Sequence, residues 1–331
     1  MTPAERDPRR RFVVAALQAS LSAHGDTLSL MTDGSSVAAM TPAALRWIDS
    51  IVPGITPIIE PVAGGFGAGI RGRLGHVGYR AFLKATPADR TSAADDRVEG
   101  AVLSALPAAA GAPTLLGTTE IDGWTFTLTE FVDGTMPEEP WLDDDLRRAL
   151  AHVTTMHSAF DAIDPPPVPT VAARMQGRAS FWSRAVAGEP MPLSTWERRH
   201  LDRLVGCETA FPSLVSERHL LHFDLRHDNF LFEGHQVHVL DWGRACLGPA
   251  WVDIVCLLLE SEVEAPSLES VFAAATAHLA PDRAQVDAFL ATLASYWRDT
   301  ARTEVLAPPG MHERRLRSLA ATEAWLGERW G

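Results

Sequence analysis

Two short apolar runs in the middle of the chain each end on residues that can do chemistry. The first lies in the stretch "HLLHFDLRHDNFLFEGHQVHVLDWGRA" at 219–245 and reaches His222 and Asp224, with Asn229 following; the second ends on Asp241. A carboxylate such as Asp224 can orient or deprotonate a hydroxyl, while amide and carboxylate oxygens hold Mg²⁺ against nucleotide phosphates. The spacing His-x-Asp-x-x-x-x-Asn, followed by a second Asp, therefore predicts phosphoryl transfer, with Asp224 as the catalytic carboxylate and Asn229 and Asp241 as metal ligands.

The same residues have simpler interpretations. Asp224 and Asn229 could cap a turn while Asp241 begins another. We expect His222 to bond the backbone of the loop rather than to take part in chemistry. Arg226 could be a catalytic residue that contacts the transferring phosphate, or it could be a solvated or salt-bridged side chain, and both interpretations stay open.

Composition limits the class of protein. The chain has 331 residues, 46% of them apolar and 21% charged, which is typical of a globular protein with room for two lobes. The net charge of −13 disfavours nucleic acid or an anionic membrane as the main partner. It is compatible with a cationic small substrate, and equally with acidity for solubility alone.

Cysteine usage and hydropathy predict a cytoplasmic protein. No segment has the ~18 uncharged apolar residues of a membrane span, and the N-terminal residues lack the apolar core of a signal peptide. Cys207, Cys246 and Cys256 do not have metal-site spacing. We expect Cys246 and Cys256 to be buried thiols in a reducing compartment.

The pattern of elements predicts three regions. Residues 1–50 read as a helical extension. Residues 51–131 contain strand-like segments ("ITPIIEPV", "GYRAFLKA", "TLLGTT", "WTFTLTEF") and one helix, "DDRVEGAVLSAL", which predicts a small antiparallel sheet lobe. Residues 132–331 are mainly helical, beginning with "DDDLRRALAHVTTMHSAF" and interrupted by the β segments around the catalytic loop.

The stretches "HFDLRHDNFLF", "HVLDWGRACLGPAWVDI" and "TTMHSAF" resemble the aminoglycoside phosphotransferase family of small-molecule kinases. The resemblance runs from about residue 55 to at least residue 260. It implies an α+β, bilobal protein-kinase-like fold with a small antiparallel sheet lobe and a larger helical lobe. It also implies ATP or GTP as donor, Mg²⁺ as cofactor and transfer of the γ-phosphate to a hydroxyl.

One lysine stands alone in the composition. Of the 29 basic residues, 28 are Arg and one is Lys84. Because an exposed lysine can be replaced by arginine at little cost, a retained lysine points to a site that needs a compact ammonium. The resemblance places Lys84 on the strand that binds the α- and β-phosphates and makes Glu99 its helix partner. Glu99 could instead be an ordinary exposed helix residue near Asp95 and Asp96.

The resemblance also assigns the remaining contacts to the nucleotide. Gly65 and Gly67 lie in "AGGFGAG", which fits a hairpin over the phosphates, although a flexible hairpin without a ligand would look the same. Glu130 and Val132 lie in "LTEFVDG", which resembles the hinge that binds the purine through its backbone. These side chains do not distinguish ATP from GTP.

Departures from the protein-kinase pattern disfavour a protein substrate. The metal turn is Asp-Trp-Gly, and "PAWVDI" leads straight into a helix with no segment ending in Ala-Pro-Glu. We expect Asp253, in that helix, to be a buried carboxylate that supports the catalytic loop. Glu260, Glu262 and Glu264 are candidates for binding ammonium groups of the acceptor, unless they are simply a solvated helix end.

Three functions are compatible with these features. The first is an O-kinase acting on an aminoglycoside or other antibiotic, which would confer antibiotic resistance. The second is a metabolite kinase for a choline-, homoserine- or sugar-type alcohol. The third is a catalytically inactive kinase-fold binding protein, which is disfavoured because every motif residue is present.

Overall fold

The computed structural model describes residues 40–54, 56–61, 69–76, 79–216, 218–261, 267–303 and 310–331. The helices predicted before residue 40 and the glycines Gly65 and Gly67 lie outside these ranges. The chain divides into two compact units. In its described part, the smaller unit consists of residues up to 89 together with 116–131, and the larger unit takes in 90–115 and everything from 132 onward.

The smaller unit is a five-stranded sheet covered by one helix, α1 (Pro42–Ile51). Its strands are β1 (Thr56–Pro61), β2 (Ile70–His76), β3 (Tyr79–Pro87), β4 (Leu115–Ile121) and β5 (Trp124–Glu130), in the order β1-β2-β3-β5-β4. The pairs β1–β2, β2–β3 and β3–β5 are antiparallel. This confirms the small antiparallel sheet expected from the sequence.

Helix α1 is held on the sheet by its apolar face. Thr41 caps it by accepting a hydrogen bond from the Ala44 amide, and Pro42 begins its first turn. Ile48 is buried in the core of this unit. The helix approaches β4 so closely that a Cβ on Gly117 would lie 2.6 Å from the Ile51 side chain. A larger residue at that position would require the end of the Ile51 side chain to move.

Strand β2 was not predicted from the sequence. Its residues, "IRGRLGH", mix arginine with glycine, and Ile70 is their single β-branched residue, so little in them marks a strand. The structure pairs it on both sides, with Arg73 opposite Glu60 of β1 and Phe82 of β3. Burial alternates along the strand, with Ile70 and Leu74 facing the core. Backbone pairing and this alternation override the weak local preference.

The larger unit is mainly helical. Its first helix is α2 (Ser92–Leu103), which is the helix predicted between the strands and packs within this unit. The next is α3 (Asp143–Phe160), which matches the predicted helix and opens with three aspartates at its positively polarised end. The long segment at 165–215, which had no assigned structure, forms α4 (Val171–Met175), α5 (Phe181–Val186) and α6 (Thr195–Leu214).

Short strands and four further helices complete this unit. The strands are β6 (His219–Leu221), β7 (Phe230–Glu233), β8 (Gln236–Val239) and β9 (Cys246–Gly248), in two separate antiparallel pairs, β6 with β9 and β7 with β8. The helices are α7 (Trp251–Glu260), α8 (Leu268–Ala275), α9 (Arg283–Thr303) and α10 (Met311–Trp330). Helix α7 is the centre of the core, since all but two of its residues are buried. None of the helices that the structure describes is long and apolar enough to cross a membrane.

Candidate active site

The predicted catalytic loop leaves β6 at Leu221 and re-enters regular structure at β7. Between them, Phe223 has a left-handed backbone with φ of 64°, and a single 3₁₀ turn covers His227–Asn229. The left-handed residue turns the chain sharply just before Asp224, whose side chain keeps about 25% exposure. A non-glycine residue holds such a conformation only where its surroundings fix it.

Asp253 supplies that support from the first turn of α7. Its carboxylate, which is fully buried, accepts hydrogen bonds from the backbone amides of His222 at 2.9 Å and Phe223 at 2.8 Å. It also accepts one from Nε2 of His157 at 3.1 Å. Burial by itself raises the pKa of Asp253, but the hydrogen bonds from His157 and His222 outweigh it and leave the pKa below its usual value. The structure confirms the expected role of Asp253 as support for the loop.

His222 has the structural role that the sequence suggested. Its Nε2 lies 2.8 Å from the Leu240 carbonyl, and the amide of Asp224 donates to its Nδ1 at 3.2 Å. Because a carbonyl can only accept, Nε2 carries the proton and Nδ1 is left free to accept. Complete burial lowers the pKa of His222, which agrees with a neutral ring. The imidazole therefore ties the catalytic loop to the end of the following hairpin.

The loop's polar side chains are oriented by one another. Nδ2 of Asn229 donates to the Asp224 carbonyl at 2.8 Å and lies 3.4 Å from its Oδ2, so its Oδ1 is the atom left to serve as a ligand. Arg226 makes a two-pronged contact with Asp228 at 2.9 and 3.0 Å, and its Nη1 lies 3.5 Å from Asp224. Burial opposes its charge, yet the two aspartates raise the pKa of Arg226 above its usual value. Arg226 is thus a salt-bridged residue beside Asp224.

Asp241 follows the β7–β8 hairpin. The Leu240 amide donates to the Asn229 carbonyl at 2.8 Å, which extends the pairing of the hairpin and brings Asp241 next to the Asn229 backbone. Asp241 itself is left-handed, with φ of 62°, and a 3₁₀ turn follows at Trp242–Arg244. The ring of Trp242 packs edge-on against His222 at 4.6 Å. The backbone hydrogen bond between Leu240 and Asn229 therefore brings the two predicted metal ligands, Asn229 and Asp241, close together.

The turn after Asp241 is fixed to α2 by contacts that the sequence did not suggest. A Cβ on Gly243 would lie 3.0 Å from the Asp95 carbonyl, so α2 rests directly on this turn. Arg174 of α4 bonds Asp95 at 2.7 Å and the carbonyls of Gly243 at 2.9 Å and Ala245 at 3.2 Å. Arg244 adds a longer contact to Asp95 at 3.5 Å. These residues are far apart in sequence, so only the fold could reveal the cluster.

The residues assigned to the nucleotide are distributed over both units. Lys84 is in β3 of the smaller unit, 8% exposed and opposite Thr127 of β5. Glu99 is in α2 of the larger unit and only 4% exposed, which excludes the alternative of an exposed helix residue. Glu130 ends β5 with its side chain exposed, and Val132 follows it in the connecting segment. Their contacts to a nucleotide stay predictions.

A cavity of about 210 Å³ in the larger unit opens beside Asp224. Tyr296 and Trp297 of α9 line it together with Glu260 of α7 and Arg314 of α10. Cys256 also lines it. Cys246 is fully buried and Cys256 is partly buried as a residue, and burial raises the pKa of both thiols. Glu262 and Glu264 lie outside the described residues.

The predicted fold agrees with comparison to known proteins. The family model described as "Phosphotransferase enzyme family" matches residues 59–289. The chain belongs to this family. This membership confirms the prediction from the sequence that the chain is an enzyme of the small-molecule phosphotransferase class. A search of the curated proteins found no match.

Solved structures with the same fold include aminoglycoside and choline kinases. A thermostable mutant of aminoglycoside phosphotransferase APH(4)-Ia, in a ternary complex with AMP-PNP and hygromycin B, aligns with a TM-score of 0.60 at 14% identity, covering 86% of this chain and 98% of that one. The GDP complex of aminoglycoside 2'-phosphotransferase-IIIa aligns with 0.60 at 19% identity, covering 85% and 98%. Choline kinase LicA from Streptococcus pneumoniae aligns with 0.55 at 14%, covering 84% and 97%. These likenesses confirm the protein-kinase-like fold.

The oxygen-rich ends of this phosphotransferase's hairpin suit a magnesium ion. Asn229 offers an amide oxygen and Asp241 a carboxylate, the hard oxygen ligands that Mg²⁺ selects. Within the described ranges, no group of three or more His, Cys, Asp or Glu side chains could enclose a metal by itself. A site with few protein ligands fits Mg²⁺, which keeps several waters and completes its shell with substrate phosphates.

Proposed function

We propose that this phosphotransferase moves the γ-phosphate of ATP or GTP to a hydroxyl of a small molecule in a Mg²⁺-dependent reaction. The observation that carries the proposal is the position of Asp224. Its partly exposed carboxylate lines a cavity, while three neighbouring groups, Asn229, Arg226 and the Asp253-bound backbone, hold it in place. A carboxylate so placed can orient an acceptor hydroxyl and take its proton.

The proposed step exchanges one P–O bond for another. The acceptor oxygen attacks the γ-phosphorus, the bond to the β-phosphate oxygen breaks with its electron pair, and the hydroxyl proton passes to Asp224. The products are a phosphate ester and a nucleoside diphosphate. Asn229 and Asp241 would hold Mg²⁺, which neutralises charge on the phosphates, and Lys84 would bind the α- and β-phosphates, with Glu99 as the partner that the sequence resemblance assigns to it.

The rest of the nucleotide site is proposed from the sequence pattern. Gly65 and Gly67 would lie over the phosphates, and Glu130 and Val132 would present backbone groups to the purine. Arg226 is proposed to steady the charge near the transferring phosphate while it stays paired with Asp228. The cytoplasm, which supplies nucleotide and Mg²⁺, is the proposed compartment, with no nucleic acid or membrane as partner.

Two classes of acceptor fit this function. An aminoglycoside or another antibiotic is one, since solved relatives of the same fold act on aminoglycosides, and such activity would confer antibiotic resistance. A metabolite alcohol is the other, since a choline kinase shares the fold. A catalytically inactive binding protein is the least favoured, because the catalytic loop keeps every group the reaction needs.

Nucleotide binding and turnover test the proposal together. We expect ATP or GTP with Mg²⁺ to raise the melting temperature, and a panel of antibiotics and small alcohols to give one phosphorylated product. Asp224→Asn should lower kcat by about 10²–10⁴-fold, the usual contribution of a general base, with nucleotide affinity nearly unchanged. Asp287→Asn, which changes a carboxylate bonded to Arg329 and Arg203 away from the catalytic loop, is the control and should keep its kcat.

The outcomes separate catalysis from structure. If Asp224→Asn weakened nucleotide binding as much as it lowered turnover, Asp224 would be a structural residue. If neither nucleotide stabilised the wild-type protein, the chain would be a kinase-fold binding protein.

A further inference from the structure

The charged groups that line the cavity beside Asp224 are mostly cationic. They are four arginines and two carboxylates: Arg226, Arg244, Arg314, Arg315, Asp224 and Glu260. All six belong to the larger unit. The lining therefore carries two more positive than negative charges at neutral pH, although the whole chain has a net charge of −13. Arg226 and Arg244 are paired with Asp228 and Asp95, which lie outside the lining, so the charge that a ligand meets is set mainly by the groups around Arg314.

Glu260, a candidate for binding an ammonium group, already has partners. One of its oxygens accepts from Nε of Arg314 at 2.6 Å, and the other accepts from the Ser318 hydroxyl at 2.8 Å. The side chains of Glu260 and Arg314 are only 11% and 10% exposed, so this is a largely buried ion pair. Removing one member of such a pair leaves an uncompensated charge, which is costly. Glu260 is thus committed to holding Arg314.

Two buried donors on the same lining lack acceptors. Nη2 of Arg314 and Nε1 of Trp297 make no hydrogen bond within the described part of the chain, and Arg314 as a residue is 8% exposed. A buried donor left without an acceptor costs about 1–3 kcal/mol. Each of these two atoms exposes less than 1 Å² to solvent, so a ligand's acceptor atoms would relieve that cost once the lining side chains shift to admit them. The planar fork of a guanidinium matches a carboxylate, which presents two acceptor oxygens.

The cavity limits the size of the acceptor. Its volume of about 210 Å³ is below the ~300–1,000 Å³ of pockets for drug-sized ligands. A cavity of this size favours a small ligand over a drug-sized one. Tyr296 and Trp297 supply an apolar surface for a short carbon chain.

We propose that the acceptor is a small hydroxycarboxylic acid. Its hydroxyl lies at Asp224, and its carboxylate accepts hydrogen bonds from Arg314, with Trp297 as a second donor. This inference rests on the proposed phosphotransferase function and names the substrate class for that site. The carboxylate is bound but unchanged, and the phosphoryl transfer is the step described above.

Matched pairs of acceptors test the proposal directly. Glycerate against glycerol and 4-hydroxybutyrate against 1,4-butanediol differ by the carboxylate, ethanolamine and kanamycin represent cations, and glycerol 3-phosphate represents the other common anion. Phosphoryl transfer is measured with ATP and with GTP, and binding of each acceptor without nucleotide is measured by calorimetry. We expect kcat/KM to be at least tenfold higher for the carboxylate member of a pair.

Arg314→Lys tests the role of Arg314 in binding the carboxylate and still leaves Glu260 with a positively charged partner. The lysine keeps a positive charge beside Glu260 but loses the second arm of the fork. We expect KM for the hydroxy acid to rise about tenfold or more and the preference over the neutral alcohol to shrink. Arg329→Lys is the matched control, because Arg329 is equally buried on α10 and ion-paired with Asp287, yet lies outside the cavity lining. It should leave the preference unchanged.

The results distinguish failure of the inference from failure of the function. The inference is overturned if the enzyme prefers a neutral, cationic or phosphorylated alcohol, or if the Arg314→Lys variant keeps the wild-type preference. In both cases the proposed phosphotransferase function still stands. Hydroxy-acid binding without any nucleotide stabilisation or transfer supports the anion site and overturns the kinase. If no hydroxycarboxylate in the panel binds or is phosphorylated, the inference is wrong.

Discussion

The hydrogen bonds to Asp253 allow a quantitative prediction about the catalytic loop. In Asp253→Ala, the backbone amides of His222 and Phe223 would lose their acceptor inside the core. At about 1–3 kcal/mol for each unsatisfied donor, the free energy of unfolding should fall by about 2–6 kcal/mol. Because a domain has only about 5–15 kcal/mol of stability, the alanine variant risks not folding.

Asp253→Asn is therefore the informative variant. It keeps the shape of the side chain, but its single oxygen can serve only part of the donor set, and its NH₂ group must face another donor. We expect a loss of about 1–3 kcal/mol, read from urea unfolding. The loop that carries Asp224 would shift, and a misplacement of about 1 Å can cost roughly 10²-fold in rate. kcat should thus fall by about 10–100-fold, with nucleotide affinity within a few-fold.

A second buried aspartate controls for general loosening of the fold. Asp287, which is 5% exposed, bonds Arg329 at 2.6 Å and Arg203 at 3.0 Å in the helical bundle, with no contact to the catalytic loop. Asp287→Asn should lose comparable stability and keep its kcat. The reasoning is refuted if Asp253→Asn is destabilised while kcat stays at the wild-type value, or if both variants lose the same fraction of kcat.

Three further changes test other parts of the molecule. Asp241→Ala should abolish the Mg²⁺ dependence of nucleotide binding in calorimetry, and an unchanged metal dependence would rule it out as a ligand. Lys84→Arg should lower kcat/KM, because a planar guanidinium replaces a compact ammonium at a buried position, whereas full activity would show that the lone lysine has no special role. Burial and the charge of Glu197 raise the pKa of Glu323 from 4.5 to about 7. Since the folded state then holds a proton that the unfolded state releases, the contribution of Glu323 to the free energy of unfolding is greatest below pH 4.5 and falls as the pH rises towards 7. Because the side chain is 24% exposed, we expect this contribution to fall by about 1–2 kcal/mol. Glu323→Gln should flatten this slope in unfolding curves measured across that range, and an unchanged slope would assign it to other groups.

The catalytic loop was predictable because its chemistry is local. The reactive groups lie within 18 residues, from Asp224 to Asp241, just before and just after the two strands of the β7–β8 hairpin. Apolar runs mark the strands, and the polar residues that interrupt them mark the site. Asp253 was also within reach, since it follows at the start of a strongly apolar helix where a charge needs buried partners.

The residues that hold the catalytic loop and the Asp241 turn in place were not predictable, because they come from distant parts of the chain. Arg174 lies in a segment with no recognisable motif, yet it bonds Asp95, which is 79 residues away. His157 lies in the stretch "TTMHSAF", which did not indicate that it reaches Asp253 across 96 residues. An arginine or histidine in a helix carries no sign of its partner, so such contacts emerge only once the helices are packed.

The net charge of the chain is a poor guide to the charge of the groups that line the cavity. At physiological ionic strength, charges more than about 8 Å away in solvent are largely screened, so most of the excess carboxylates have little effect on a bound ligand. The groups that determine which ligand binds are those in the cavity wall, because burial there weakens the screening of charges and makes an unsatisfied donor costly. Arg314 is held there by Glu260, with one arm of its fork left for an acceptor. An acidic chain can therefore present arginines in a cavity wall. On the proposal above, selection of a hydroxy acid over an aminoglycoside as acceptor depends on Nη2 of Arg314.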